Sequence, residues 1–188
     1  MKIMKTGIML FTGILFVTTG MAQKYFTKDG KISFYSDTPM EKIEANNTKA
    51  VSVYDVSTGQ LEFAALIKAF QFEKALMQEH FNENYLESNT YPKATFKGKV
   101  TEPGAVDFGK DGKYQVQVAG ELTIHGVTKQ VSTPATFQVT NGHISGSASF
   151  NIEVEEYGIK IPSIVREKIA KEVKIDVQSD YLPMEEKS

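Results

Sequence analysis

The sequence contains no cysteine and no tryptophan, and Arg166 is the only arginine among its 21 basic residues. Without cysteine there are no disulfide staples, thiolate metal sites, cysteine nucleophiles or lipid attachment through an N-terminal cysteine. One arginine is too few for the bidentate guanidinium contacts on which most specific readers of nucleic acid rely. The net charge of −2 supplies no cationic field for backbone phosphates, so a nucleic-acid partner is excluded. Neither does any apolar run reach the roughly 20 residues of a membrane-crossing helix. What remains is a chain of 188 residues, 41% hydrophobic and 23% charged. That balance belongs to a globular protein and sets disorder aside.

The first 22 residues have the pattern of a secretory signal peptide. Lys2 and Lys5 form a basic start, Gly7 to Val17 an apolar core, and Gly20-Met21-Ala22 the small residues of a cleavage site. Thr18, Thr19, Gln23 and Lys24 end the segment early, which makes an uncleaved anchor the weaker reading. Cleavage after Ala22 removes two lysines and no acid, leaving one domain, residues 23–188, with 19 basic and 23 acidic side chains. The expected destination is periplasmic or secreted. Such a chain must be held together by core burial and strand pairing alone.

Beyond residue 23 a period of two dominates. Ile144, Gly146, Ala148, Phe150, Ile152 and Val154 share one face, opposite Ser145, Ser147, Ser149, Asn151, Glu153 and Glu155. The alternation returns at Lys113–Ile124 and Glu172–Ser179. It is less regular at Lys31–Ser36, Glu41–Asn46, Ala50–Val56, Leu61–Phe70, Ala94–Val100 and Val131–Val139. Asp29-Gly30, Thr58-Gly59, Asp111-Gly112, His125-Gly126 and Asn141-Gly142 are turn signals. Eight or nine antiparallel strands follow, several of them long, as tilted barrel strands are. One interruption stands between Phe72 and Tyr91. There Phe72, Leu76 and His80, with Met77, Phe81 and Tyr85, recur every four residues and predict an amphipathic helix of about three turns. Pro162–Ala170, with Ile164, Val165 and Ile169 as an apolar stripe, predicts a short second helix. The tail after Tyr181 is expected to fray.

Chemistry is sparse. His80, His125 and His143 are the only histidines, and no two have the close spacing of a preassembled ligand pair, so a metal site is the weaker reading. No GxSxG elbow and no glycine-rich phosphate loop occurs, and the serines at 145, 147 and 149 are explained by the wet face of a strand. No catalytic residue, metal or required cofactor is assigned. From pattern alone, the apolar inner face of an eight-stranded barrel is either filled by its side chains or hollow enough for one slim ligand.

Three runs add a further clue. Tyr91-Pro92-Lys93-Ala94-Thr95-Phe96-Lys97-Gly98, Gly120-Glu121-Leu122-Thr123-Ile124-His125-Gly126-Val127-Thr128-Lys129 and Tyr157-Gly158-Ile159 follow one another in order and spacing. Together they resemble the YceI-like polyisoprenoid-binding family over most of the chain after the signal. The resemblance implies an all-β, mainly antiparallel, extended lipocalin-like eight-stranded barrel, exported, with a long-chain isoprenoid or related amphiphile in its pore. Parity nominates Ile32, Phe34, Phe63, Phe96, Val116, Val118, Leu122, Phe137, Ile144, Phe150, Ile152 and Ile175 as pore-lining residues. The implied role is a non-enzymatic holder of a polyprenyl- or quinone-type lipid, for transport, storage or scavenging, in transient contact with a membrane. Two other classes compete with it: an enzyme acting on an exported lipid or small metabolite, and a secreted protein-interaction module. The sequence carries no sign of oligomeric state.

Overall fold

A computed structural model describes residues 24–102 and 104–184. The expected signal segment and the last four residues lie outside the described residues. Eight antiparallel strands form the wall of a barrel: β1 (Lys24–Asp37), β2 (Lys42–Asp55), β3 (Gln60–Leu66), β5 (Lys93–Val100), β6 (Gly112–Ile124), β7 (Val127–Thr140), β8 (His143–Glu153) and β9 (Glu172–Pro183). A ninth, two-residue strand, β4 (Gln71–Phe72), lies against β2. The order β1-β9-β8-β7-β6-β5-β3-β2 closes by the pairing of β1 with β2, so no edge is left along the wall. With 14 residues each, β1, β2 and β7 are long, about 45 Å at roughly 3.3 Å per residue. The fold is thus the expected all-β barrel.

Turn chemistry explains how the strands connect. His125-Gly126 (φ 51° and 74°) and Asn141-Gly142 (φ 51° and 77°) put two successive residues in the left-handed region, as the tightest hairpins require. Asp29-Gly30 behaves otherwise. The sequence marks it as a turn, but it sits inside β1, where the register against β2 shifts on both sides of Gly30. Gly30 is needed there because a Cβ would lie 3.0 Å from the Ala50 carbonyl and 3.2 Å from Ser179 Oγ. A bulge, not a turn, is the outcome. The C-terminal end also departs from expectation: Tyr25 pairs with Pro183, and Met184 N donates to the Lys24 carbonyl at 2.7 Å.

The interruption forms one helix of three turns, in which α1 (Ala75–His80) runs into a wider π-type turn, Phe81–Tyr85. It has a structural reason. Strand β3 is half the length of β2, so the first part of β2 has no barrel neighbour on that side except β4 and the flap that carries α1. The second expected helix does not form beyond one 3-10 turn, Ser163–Val165. Its three apolar residues do not share a face: Ile164 is 89% exposed, whereas Val165 and Ile169 turn toward the interior. No buried stripe exists to hold a longer helix in place.

Two apolar clusters divide the interior. At the end holding Lys24, Pro183 and the Asn141-Gly142 hairpin, Tyr25, Tyr54, Val100, Val139, Ile144 and Tyr181 pack together. The loop between β5 and β6 folds across this end. Its Phe108 packs against Tyr25 (5.2 Å between ring centroids), Tyr54 (5.6 Å) and Phe137 (5.7 Å). This plug seals that end. At the opposite end Ile67, Leu86, Ile124, Val154, Tyr157 and Ile159 form the second cluster, under the flap and the β8–β9 connection.

Candidate functional site: an apolar cavity beneath the flap

Between the two clusters runs a cavity of about 550 Å3, open at the flap end. Its size falls within the roughly 300–1,000 Å3 typical of small-molecule sites. Phe137 and Tyr181 form its floor, above the plug. Its walls carry Ile32 and Phe34 from β1, Phe63 from β3, Phe96 from β5, Val118 and Leu122 from β6, Phe150 and Ile152 from β8, and Ile175 from β9.

Ten of the twelve residues nominated by parity therefore border this space. Val116 and Ile144 do not. Both point inward as parity requires, but they are packed into the apolar cluster that includes Phe137 and Tyr181. Alternation fixes the face of a strand and is blind to which inward side chains their neighbours cover, which is why these two cannot be told apart from the rest by sequence.

The inward small residues divide into two kinds. Gly146 leaves no room, since a Cβ there would lie 3.2 Å from Tyr181 and 3.4 Å from Phe137. Gly98 and Gly120 face each other across β5 and β6, and the Phe96 ring occupies the place of a Gly98 Cβ. Ala65, Ala94, Ala135 and Ala148, in contrast, do border the cavity. The alanines make the space; the glycines make room for rings.

The flap contributes residues that no strand pattern could nominate. Phe70, Phe72 and Phe81 surround Phe34, with ring centroids 5.7, 5.6 and 5.4 Å from it. These four rings border the cavity and tie the flap to β1. Met77 and His80 of α1 border it from above. The crowding of phenylalanines at 70, 72 and 81 is a compositional hint of this cluster. The far end of the flap is pinned at the His125-Gly126 hairpin. His125 Nδ1 lies 3.2 Å from the Tyr157 carbonyl oxygen, Nε2 lies 3.1 Å from Glu87 Oε2, and Tyr91 packs its ring edge-on at 4.6 Å. Gly126 is confined by the same tyrosine, since a Cβ there would lie 2.6 Å from Tyr91. The recognisable sequence runs thus latch the flap onto the barrel.

Polar groups gather at the mouth. The β1–β2 turn meets the start of the helix through Lys74 Nζ and Glu41 Oε1, 3.3 Å apart. The β8–β9 connection is anchored where Ala170 N donates to Ser36 Oγ at 2.8 Å. Ser36, Glu41, Lys74 and Lys168 all border the opening. Tyr181 and Thr133 place polar groups deeper. Tyr181 OH is 3.0 Å from Ser52 Oγ. Burial pushes its phenol from 10.0 up to about 12, against the opposing pull of the Ser52 hydrogen bond and of the nearby Ser179 hydroxyl.

The folded state thus holds the Tyr181 proton more tightly than the unfolded chain. The stabilisation is fully present below pH 10 and is lost as pH rises from 10 to 12, a span of about 2–3 kcal/mol. Tyr181→Phe is expected to flatten that alkaline fall in denaturant titrations across the interval. An unchanged fall would refute the assignment.

The three histidines do not converge. His80 borders the cavity, His125 serves the latch, and His143 sits at the sealed end with Nε2 3.8 Å from Asp180 Oδ1. Among the described residues no group of three His, Asp or Glu side chains could hold a metal ion.

Comparison with known proteins places this geometry among known folds. The solved polyisoprenoid binding domain from Saccharophagus degradans, implicated in plant cell wall breakdown, superposes with a TM-score of 0.72 at 15% identity, covering 85% of this chain and 98% of that one. Burkholderia cenocepacia BcnA gives 0.67 at 19% identity, over 81% and 96%. The Campylobacter jejuni YCEI protein gives 0.58 at 17% identity, over 76% and 85%. In sequence, a UPF0312 protein of Pseudomonas fluorescens is 32% identical over 111 residues, 58% of this chain and 46% of that protein, so the match spans about half the relative's length. A YceI-like domain matches residues 16–181, and the chain belongs to the YceI-like family.

Proposed function

We propose that this protein is an exported, non-enzymatic container for one long-chain isoprenoid-like amphiphile of polyprenyl or quinone type. It holds the chain for transport, storage or scavenging in the periplasm or outside the cell. The observation that carries this reading is the apolar cavity open at one end only. Its charged side chains lie at the mouth, which suits a ligand that enters tail first and leaves its head group beside Lys74, Glu41 and Lys168. The signal-like pattern of residues 1–22 supports export. The polyisoprenoid binding domain of S. degradans, with the same fold, supports the ligand class.

A bound tail gains about 0.8 kcal/mol per buried methylene before ordering costs. The discrimination between chains that such a tunnel offers is weak, so selectivity rests on the mouth.

Delipidated protein incubated with a long-chain polyprenyl alcohol or quinone at a hundred times its Kd should gain about 2.7 kcal/mol. For a domain of this size that is a rise of roughly 5–10 °C in Tm. Thermal unfolding with and without the lipid measures it. No shift with either ligand class would sink the proposal.

A further inference from the structure

Three large apolar side chains are exposed at the open end of the barrel, each on a different segment: Met40 (64% exposed) in the β1–β2 turn, Leu76 (61%) on α1 and Ile164 (89%) in the β8–β9 connection. The segments are neighbours around one opening. The Lys74–Glu41 contact joins the turn to the helix, and the Ala170–Ser36 hydrogen bond joins the connection to the end of β1. Leu76, Val165 and Lys168 also border the mouth itself. Exposed apolar residues scattered singly need no explanation, but three grouped around a cavity entrance do.

Charge gives the rim a direction. Residues 160–171 carry Lys160, Arg166, Lys168 and Lys171 against Glu167 alone, in a chain whose net charge is −2. Arg166, the chain's one arginine, and Lys168 take no part in the ion pairs of the described residues. An apolar tip flanked by basic side chains has the chemistry of a segment that inserts shallowly into an anionic lipid surface.

We infer that this rim docks the barrel, mouth downward, on bilayers containing anionic phospholipid. It rests on the container reading and adds how the cargo passes between membrane and cavity without crossing water. Ile164, Leu76 and Met40 enter the headgroup layer, Arg166 and Lys171 meet lipid phosphates, and the opening faces the acyl chains.

Vesicle flotation tests it, using protein in the processed form that the expressing cell releases. Vesicles of phosphatidylcholine alone are compared with vesicles that also contain phosphatidylglycerol, with farnesol uptake in solution measured alongside. The protein should float with the anionic vesicles only, and less so as salt rises. Ile164→Asp and the double substitution Arg166→Glu/Lys171→Glu, neither of which touches the cavity lining, should each cut the bound fraction at least tenfold. Leu182→Asp, at the sealed end where Leu182 is 63% exposed, should leave it unchanged. All three variants should take up farnesol like the unsubstituted protein, which shows that they fold. Absent flotation, equal flotation with phosphatidylcholine alone, or equal loss in Leu182→Asp would overturn the docking surface. Failure of the unsubstituted protein to take up farnesol would count against the container reading itself, separately from flotation.

Discussion

Ala148→Phe is expected to weaken binding of a long-chain isoprenoid alcohol or quinone by about two orders of magnitude. Ala148 of β8 lies beside Ala135 of β7 and Val177 of β9, and all three border the cavity. A benzyl group there projects into space that is otherwise open. Displacing some four methylenes of bound chain, at about 0.8 kcal/mol each, removes roughly 3 kcal/mol, or about 200-fold in Kd. The fold should tolerate the change because the ring fills a void and forces no packed side chains apart, so Tm should hold or rise. Isothermal titration with the lipid, together with a melting curve, reads both quantities. Undiminished affinity in a folded Ala148→Phe protein would place the ligand elsewhere.

The second large effect falls on stability. Gly120→Ala is expected to cost about 3 kcal/mol, although it adds one methyl group. Gly120 pairs with Gly98, and its Cβ would run into backbone on two sides, Gly98 Cα and the Lys97 carbonyl oxygen. Neither can swing aside as a side-chain tip can. The two strands must part, and the Phe96 ring over Gly98 must then give up its place on the cavity wall. At roughly 2–4 °C per kcal/mol for a domain of this size, Tm should fall by about 6–12 °C. Gly142→Ala is the contrast. It meets no atom within 4 Å and carries only the strain of φ 77°, about 1 kcal/mol. Circular-dichroism melting of the two variants separates them; equal, small losses would mean that the glycine pair is not a close contact.

These positions also mark how far sequence reasoning reaches. The inner and outer faces of β6 and β8 follow from alternation, because each strand has one buried and one wet side, and ten of the twelve nominated residues border the cavity as a result. Which inward residues the packing covers does not follow. Val116 and Ile144 are taken into the cluster against which Phe108, on a loop without periodicity, packs. Local turn chemistry identifies both left-handed hairpins yet misreads Asp29-Gly30, since a glycine that relieves crowding inside a strand looks the same in sequence as one that ends it. The Pro162–Ala170 stripe misleads for a related reason. Ile164 is apolar without being buried, and its exposure beside the mouth becomes intelligible only when the surrounding segments are in place.

The mouth itself was the least legible part of the site. Its polar residues, Ser36, Glu41, Lys74 and Lys168, come from distant parts of the chain and have no common pattern. They meet because β3 is too short to complete the wall beside β2, so the flap must cover the gap and leave an entrance at its edge. The latch formed by Glu87, Tyr91 and His125 holds the other side of the flap. The helix is therefore fixed at its far end by the latch, and elsewhere by the packing of Phe81 on Phe34 and by the Lys74–Glu41 ion pair, of which salt weakens only the last.

Native mass spectrometry of the protein, purified without detergent from the cells that make it, tests the central claim most directly. The account predicts a species heavier than the bare chain by one lipid molecule. The added mass should vanish after solvent extraction and return on incubation with a long-chain polyprenyl alcohol or quinone. The Ala148→Phe protein should need about two orders of magnitude more lipid to gain the same mass. A protein recovered empty, which also gains no mass from either lipid, would contradict it.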